Sequence, residues 1–161
     1  MSKNKTTAER GKFKKEINIA LYKNEDLREL ILGDTTRKSA AEIQKDFKNH
    51  VKSHLFIDDT ITETGSFIFY DVVLPRVGAN IKDCMVVLYA MCHRDILEDY
   101  SKEGYYGDRS DCLSQMVEDS LLNPDVVNKF GIGELMLDSV NIYNATRFYG
   151  TIMTFKVSTF R

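Results

Sequence analysis

The apolar positions of the first part of the chain recur at intervals of three and four residues, the spacing of one helical face. The repeat begins at Phe13, Asn24 has the character of an N-cap, and Gly33 has that of a C-cap. We therefore predict either one helix that breaks near Asn24 or two short helices. The next stretch, residues 36–56, is polar, and its helical periodicity is too weak to decide its structure.

The middle of the chain changes from this helical pattern to β-branched and aromatic runs. Residues 67–74 and 83–92 predict two strands, with a hairpin connection over residues 75–82. A charged, tyrosine-rich loop follows over residues 94–107. Asp108 then caps an amphipathic helix whose apolar residues share one face.

The last third of the chain returns to strands after a single predicted helical turn over residues 124–130. Residues 133–142 alternate imperfectly, whereas residues 149–157 keep a strict period of two. The resulting order predicts an α+β fold: a mainly antiparallel four-stranded sheet with helices packed on one face and the N-terminal helices first. Residues 1–161 form a single domain, with residues 1–12 as a flexible basic arm.

Composition and charge narrow the class of protein. Hydrophobic residues make up 43% of the chain and charged residues 29%, which is typical of a soluble globular domain. The net charge of −2 argues against a sequence-independent DNA binder but not against a protein that surrounds DNA without gripping it. No apolar run approaches the roughly 20 residues that cross a bilayer, and no secretory signal is visible. Three cysteines without CxxC spacing favour folding in a reducing, intracellular compartment.

The neighbours Cys92 and His93 are the first candidates for nucleophilic catalysis. Adjacent residues on a strand point to opposite faces, so we expect a buried cysteine beside an exposed histidine. His50 and His54 have the i, i+4 spacing of two zinc ligands on a helix, but no HExxH frame surrounds them.

Two further candidates have simpler interpretations. The Gly131-Ile-Gly133 segment follows a helical turn and leads into a strand, the reverse of a phosphate-binding loop. The carboxylates of Asp58, Asp59 and Glu63 lack the spacing of a calcium-binding loop. We therefore predict no catalytic residue, no metal site and no cofactor.

Two segments resemble the tail terminator (tail completion, head–tail joining) proteins of tailed bacteriophages. The first is Ile19-Ala-Leu-Tyr-Lys-Asn-Glu-Asp-Leu-Arg-Glu-Leu-Ile-Leu-Gly33, which is similar to the opening helix pair of that family. The second is Gly107-Asp-Arg-Ser-Asp-Cys-Leu113, at the start of the central helix. A strand pair lies between them, and a second strand pair closes the chain at Phe160.

This resemblance implies a structural virion protein and not an enzyme. Tail terminators form hexameric rings that cap the tail tube and join it to the neck of the head. The expected partners are therefore other copies of this chain, the tail tube protein and the head–tail connector proteins. DNA would pass through the lumen without sequence-specific binding, and no membrane would be involved. The expected location is the virion tail or neck, after assembly in the host cytoplasm.

The expected contact residues lie in the tyrosine-rich loop and in the basic leader. Tyrosines among charges suit an interface with an aromatic centre and a polar rim, and basic residues suit an acidic neighbour. Residues 94–119 hold eight acids against three bases, enough to line a channel through which a polyanion slides. The proposed interface residues are Tyr100, Tyr105, Tyr106, Arg109, Lys12, Lys14 and Lys15.

Three alternatives stay open on the sequence alone. The chain could be another head–tail connector, such as a neck or stopper protein. It could also be a small intracellular α+β enzyme that uses Cys92 or His93, or a generic α+β binding module.

Overall fold

The computed structural model describes residues 6–57, 61, 63–77, 81–123 and 135–160. This part of the chain contains four α-helices, one 3-10 helix and five strands. The α-helices are α1 (Thr6–Lys23), α2 (Glu25–Leu32), α3 (Ala40–His50) and α4 (Arg109–Leu121), and the 3-10 helix η1 spans Arg94–Asp99. The strands are β1 (Val51–Lys52), β2 (Ser66–Val77), β3 (Ile81–His93), β4 (Met136–Asn144) and β5 (Phe148–Phe160).

The N-terminal region forms two helices, because Asn24 interrupts the helical repeat. The Asn24 side chain accepts a hydrogen bond from the Leu27 backbone N–H at 3.2 Å, as an N-cap does. Gly33 ends α2 with a positive φ of 70°, a conformation that glycine adopts without strain. Helix α1 begins at Thr6, so residues 6–12 of the expected basic arm are helical, and residues 1–5 lie outside the described residues.

The polar stretch that the sequence left undecided folds as a helix followed by a short strand. The Ser39 hydroxyl caps α3 by accepting from the Glu42 backbone N–H, and the α3 side chain of Phe47 is buried. The chain then enters β1 at Val51, which is also buried.

The sheet has five strands and is mixed, so the prediction of a four-stranded, mainly antiparallel sheet is wrong in strand number. The strand order is β1-β2-β3-β5-β4. The four predicted strands pair antiparallel, as expected, and the additional strand β1 pairs parallel with β2, Val51 opposite Ile68 and Lys52 opposite Phe69. A strand of two residues carries no alternating pattern of its own, which is why the sequence did not reveal it.

Strands β2 and β3 are longer than the apolar runs that predicted them. Pro75 lies inside β2, and the register of the β2–β3 pair shifts between Val73 and Arg76. A proline is tolerated in a strand at an irregularity of this kind, because the ladder is already interrupted there. The proline therefore marks a bulge and not the end of the strand.

The helices cover one face of the sheet. The main core consists of buried residues of all four α-helices and of the sheet residues that point toward them. We call this side of the sheet the helix face. The sheet residues of the main core are Val51, Ile68, Tyr70, Val72, Cys84, Val86, Leu88, Ala90, Cys92, Met153, Phe155 and Val157. This arrangement confirms the prediction of an α+β fold with helices on one face.

The opposite face, which we call the open face, has a second and smaller core at one end. Its buried residues are Phe67, Phe69, Met91 and Phe148, and the partly buried Leu55, Ile57 and Ile61 pack against them. At the other end of the open face, Val73 and Met136 are exposed.

Three sequence predictions lie outside the described residues: the helical turn over residues 124–130, the Gly131–Gly133 segment and the carboxylates of Asp58 and Asp59. Among the helices of the described residues, none has the length and apolar character of a membrane span.

Candidate interaction surface

The tyrosine-rich loop is held against α2 by a cluster of polar side chains. The Lys102 ammonium lies 3.2 Å from an Asp26 carboxylate oxygen and 2.8 Å from one of Glu29. The Tyr105 hydroxyl donates to the other Asp26 oxygen at 2.7 Å. Because both acids belong to α2, these contacts join the loop to the helical layer.

The pKa values of this cluster follow from its hydrogen bonds and its partial burial. The hydrogen bond from Tyr105 is the main reason that the pKa of Asp26 is lowered, and Lys102 lowers it further against the opposing effect of burial. Burial raises the pKa of Tyr105 to about 12, assisted by its bond to Asp26. Hydrogen bonds to Glu29 and then Asp26 raise the pKa of Lys102. At neutral pH the cluster therefore contains a charged Lys102, an ionised Asp26 and a neutral Tyr105.

Arg109 and Tyr100 form a second internal contact at the start of α4. The guanidinium carbon of Arg109 lies 5.1 Å from the Tyr100 ring centroid, a cation–π arrangement. The Arg109 Nε donates to the Ile96 carbonyl at 3.1 Å, and its Nη1 donates to the Leu30 carbonyl at 3.2 Å. The structure thus gives both predicted interface residues an internal role, binding η1 and α2 to the start of α4.

Tyr106 is the residue of the loop that presents its ring to solvent, with 79% of its surface exposed. Its backbone is fixed, because the Gln115 side-chain amide accepts from the Tyr106 N–H at 3.1 Å and donates to the Tyr106 carbonyl at 2.6 Å. Gly107 follows with a φ of 100°, and a reciprocal capping box between Asp108 and Asp111 then begins α4. The loop therefore presents one aromatic ring from a rigid backbone.

The acids and bases around the loop differ in their contacts within the chain. The three bases of residues 94–119 are all engaged within the chain, since the Arg94 guanidinium bonds the Asn144 side chain and Lys102 and Arg109 make the contacts above. Four acids of η1 and the following loop are exposed. This acidic ridge consists of Asp95, Glu98, Asp99 and Glu103.

The basic leader is likewise divided between internal and exposed residues. The Lys14 ammonium lies 3.0 Å from both the Ser53 carbonyl and the Asp71 carboxylate, and Arg10 also pairs with Asp71. Burial opposes the ionisation of Asp71, but hydrogen bonds from Lys14 and the Val72 backbone, with the nearby positive charges, lower its pKa overall. On the same helix, Lys12 and Lys15 are exposed.

Cys92 and His93 lie on opposite faces of β3, as predicted. Cys92 is fully buried on the helix face, where its sulfur accepts from the Ser66 hydroxyl at 3.2 Å. Burial raises the pKa of its thiol to about 12. His93 lies on the other face but is half-buried and not exposed as expected, because it packs against Phe148 and caps η1 by accepting from the Asp95 N–H. Because the two side chains lie on opposite faces, the geometry does not bring His93 to the thiol.

The two other histidines are also separated by the fold. His50 ends α3 and stacks on Phe67 at a centroid distance of 4.8 Å, whereas His54 lies beyond β1 near Phe56 and Phe69. In the part of the chain that the structure describes, no three His, Cys, Asp or Glu side chains converge as metal ligands would.

A family model matches this chain from residue 15 to residue 157, a span that includes all four α-helices and all five strands in whole or in part. The model is that of the YomW family. The chain belongs to the YomW family. The family takes its name from a prophage protein, which indicates a phage origin for the chain. A search of curated proteins finds no match.

In this YomW family member, two acidic residues that form contacts between elements were not predicted from the sequence. Asp26 lies in the first turn of α2, where an acid is already explained by the helix dipole, and Asp71 interrupts an apolar strand. The signal for Asp71 was its position, because a single charge inside a β-branched run indicates a specific partner. No local signal in the sequence connects Asp26 to a tyrosine 79 residues away.

Proposed function

We propose that this protein is a structural component of a phage particle that forms a ring resembling a tail terminator. Six copies would close the ring, cap the tail tube and provide the surface to which the neck of the head attaches. Such a ring uses heterologous contacts that close under cyclic symmetry. The observation that carries the proposal is the membership of a phage-derived family over most of the chain.

The order of elements supports the proposal. The resemblance to tail terminators requires a helix pair, a strand pair, a capped central helix and a closing strand pair. These correspond to α1 and α2, β2 and β3, α4, and β4 and β5. The additional elements α3 and β1 lie within the segment between the helix pair and the first long strand.

The charge distribution supports a channel that lets DNA pass. A polyanion slides past acids, whereas exposed lysines and arginines would hold its phosphates. The acidic ridge is exposed while the neighbouring bases are engaged in internal contacts. We propose that the acidic ridge faces the lumen and that Lys12 and Lys15 face away from it, toward an acidic neighbour.

The experiment that tests the ring is light scattering coupled to size-exclusion chromatography, followed by negative-stain electron microscopy of the purified protein. We expect particles of six chains with a central opening, formed either alone or on the ends of purified tail tubes. A monomer that does not bind tube ends would contradict the proposal.

Tyr106 provides a residue-level test of the same proposal. Replacement of Tyr106 by Ser removes the exposed ring while its backbone contacts to Gln115 are retained. We expect ring formation or tube attachment to weaken by a factor of about ten or more, as for an aromatic interface residue, with an unchanged melting temperature. The matched control is Phe56→Ser, because Phe56 is 73% exposed but lies outside the loop. Equal effects of the two substitutions would count against the loop as a contact surface.

A further inference from the structure

Strand β4 is an edge strand of the sheet that the described residues form. It stands last in the strand order and pairs antiparallel with β5 along its inner side. Within the described residues, no strand pairs with its outer side. Alternate residues of β4 direct their backbone N–H and C=O groups away from β5, as in any edge strand, and another strand can add to such groups.

The side chains of β4 do not protect this edge. Natural edge strands are usually shielded by lysines, prolines or inward-pointing charges. Strand β4 has neither lysine nor proline, and its single charge, Asp138, pairs with Lys156 of β5 at 3.2 Å. A β-bulge can also protect an edge, but the one register shift between β4 and β5 lies between Leu137 and Ser139, so the pairing from Val140 to Asn144 is regular. Val140 and Ile142 are 53% and 70% exposed. The edge thus combines open backbone groups with uncovered apolar side chains.

The opposite edge of the sheet offers a strand of only two residues, β1, beside the covered strand β2. Strand β1 covers β2 at Ile68 and Phe69. Farther along β2, the Arg10 side chain donates to the Val72 carbonyl at 2.6 Å, so α1 occupies the next part of that edge. A head-to-tail continuation of β4 onto β2 of another copy is blocked at these positions. The strand that another copy offers is its own β4.

We propose that two copies of this chain pair through β4, antiparallel about a two-fold axis at Asn141, to form one ten-stranded sheet. In this register Val140 lies opposite Ile142 of the second copy, so the exposed apolar side chains cover one another. Each Asp138 lies opposite Asn144, and the two Asp138 residues are about 20 Å apart, which avoids repulsion. A register centred one residue earlier places the Asp138 carboxylate opposite the apolar side chain of Ile142, which is less favourable.

This pairing goes beyond the proposed ring and does not depend on it. An isologous contact closes after two copies, so it does not itself generate a six-membered ring. In a ring-forming protein the β4 pairing joins two rings to each other, and in a protein that forms no ring it produces a dimer.

Cysteine cross-linking tests the register directly. In the proposed pair, the two residues at position 141 are directly opposite, about 4.5–5.5 Å apart at Cα, which a disulfide can bridge. We expect Asn141→Cys to form a covalent dimer under mild oxidation, reversed by dithiothreitol. The matched control is Met136→Cys, because the two residues at position 136 are about 34 Å apart. The native cysteines Cys84, Cys92 and Cys112 are buried, so their background is low.

A charge on the edge tests the association without a covalent bond. We expect Ile142→Lys to abolish the two-fold pairing in light scattering, with an unchanged circular dichroism spectrum, because two lysines then face the same apolar contact. Absence of the position-141 cross-link, or cross-linking equal to that of Met136→Cys, overturns the proposal. Six-membered rings without the cross-link would refute β4 pairing alone, whereas a cross-linked dimer without rings would refute the proposed ring alone.

Discussion

At the scale of single residues, the hydrogen bond from Tyr105 to Asp26 is the contact that most clearly links the loop to the helices. Replacement of Tyr105 by Phe removes the donor and leaves the carboxylate paired with Lys102. We expect a loss of about 1 kcal/mol in the free energy of unfolding at neutral pH, since Asp26 is 40% exposed and solvent screens the contact. Urea denaturation measures it. The control Tyr106→Phe alters an exposed ring and should change stability by much less.

The same contact predicts a pH dependence. The pKa of Asp26 in the folded chain is below its usual value of 3.8, mainly because of the bond from Tyr105. The stabilisation is therefore present above pH 3.8 and is lost as the pH falls through the folded-state pKa. The difference between the native chain and Tyr105→Phe should shrink over that range. A difference that stays constant down to about pH 2 would show that the bond to the charged carboxylate is not its cause.

At the scale of elements, two glycines illustrate opposite effects of one added methyl group. A Cβ on Gly150 of β5 would lie 1.9 Å from the Ala90 carbonyl oxygen, near one end of the β3–β5 pair. A Cβ on Gly11 of α1 would meet nothing within 4 Å. We expect Gly150→Ala to cost about 3 kcal/mol or more, because backbone must move, and Gly11→Ala to stabilise the chain by about 0.5–1 kcal/mol through helix propensity. Thermal and urea unfolding of both variants measure this, and a neutral Gly150→Ala would contradict the close β3–β5 approach.

The sequence predicted the elements that are stabilised by contacts between residues close together in the chain, and it did not predict those that depend on distant residues. The break at Asn24 and the start of α4 at Asp108 were predictable because each cap bonds a backbone N–H three residues away. Strand β1 was not predictable, because its two residues are ordered by pairing with β2, across a long intervening segment. The two loop tyrosines differ in the same way. The exposure of Tyr106 was predictable because it is typical of a surface loop, whereas the position of Tyr105 was not, because its hydroxyl bonds Asp26, an acid of α2 that is distant in the sequence.

At the scale of the whole molecule, the proposed DNA channel depends on where the charged side chains lie. The net charge of −2 does not favour a channel over an ordinary surface, whereas the exposure of the acidic ridge beside internally engaged bases supports the proposed channel. Around a ring of six copies, four acids per copy would give a belt of about 24 negative charges. Such a belt repels phosphates at short range and is screened beyond about 10 Å at 0.1 M salt.

If the acidic ridge lines the proposed channel, reversing part of its charge should convert a surface that releases DNA into one that retains it. We expect the native protein not to shift duplex DNA in a gel at about 0.15 M salt, and the double variant Glu98→Lys, Asp99→Lys to bind it. Each phosphate that a new lysine neutralises should steepen the slope of log affinity against log salt by about 0.9. The control reverses two exposed acids elsewhere, Glu25→Lys and Glu63→Lys, with the same change in net charge. If both variants bound DNA equally, net charge alone would explain the effect, and the acidic ridge would have no special place beside the DNA.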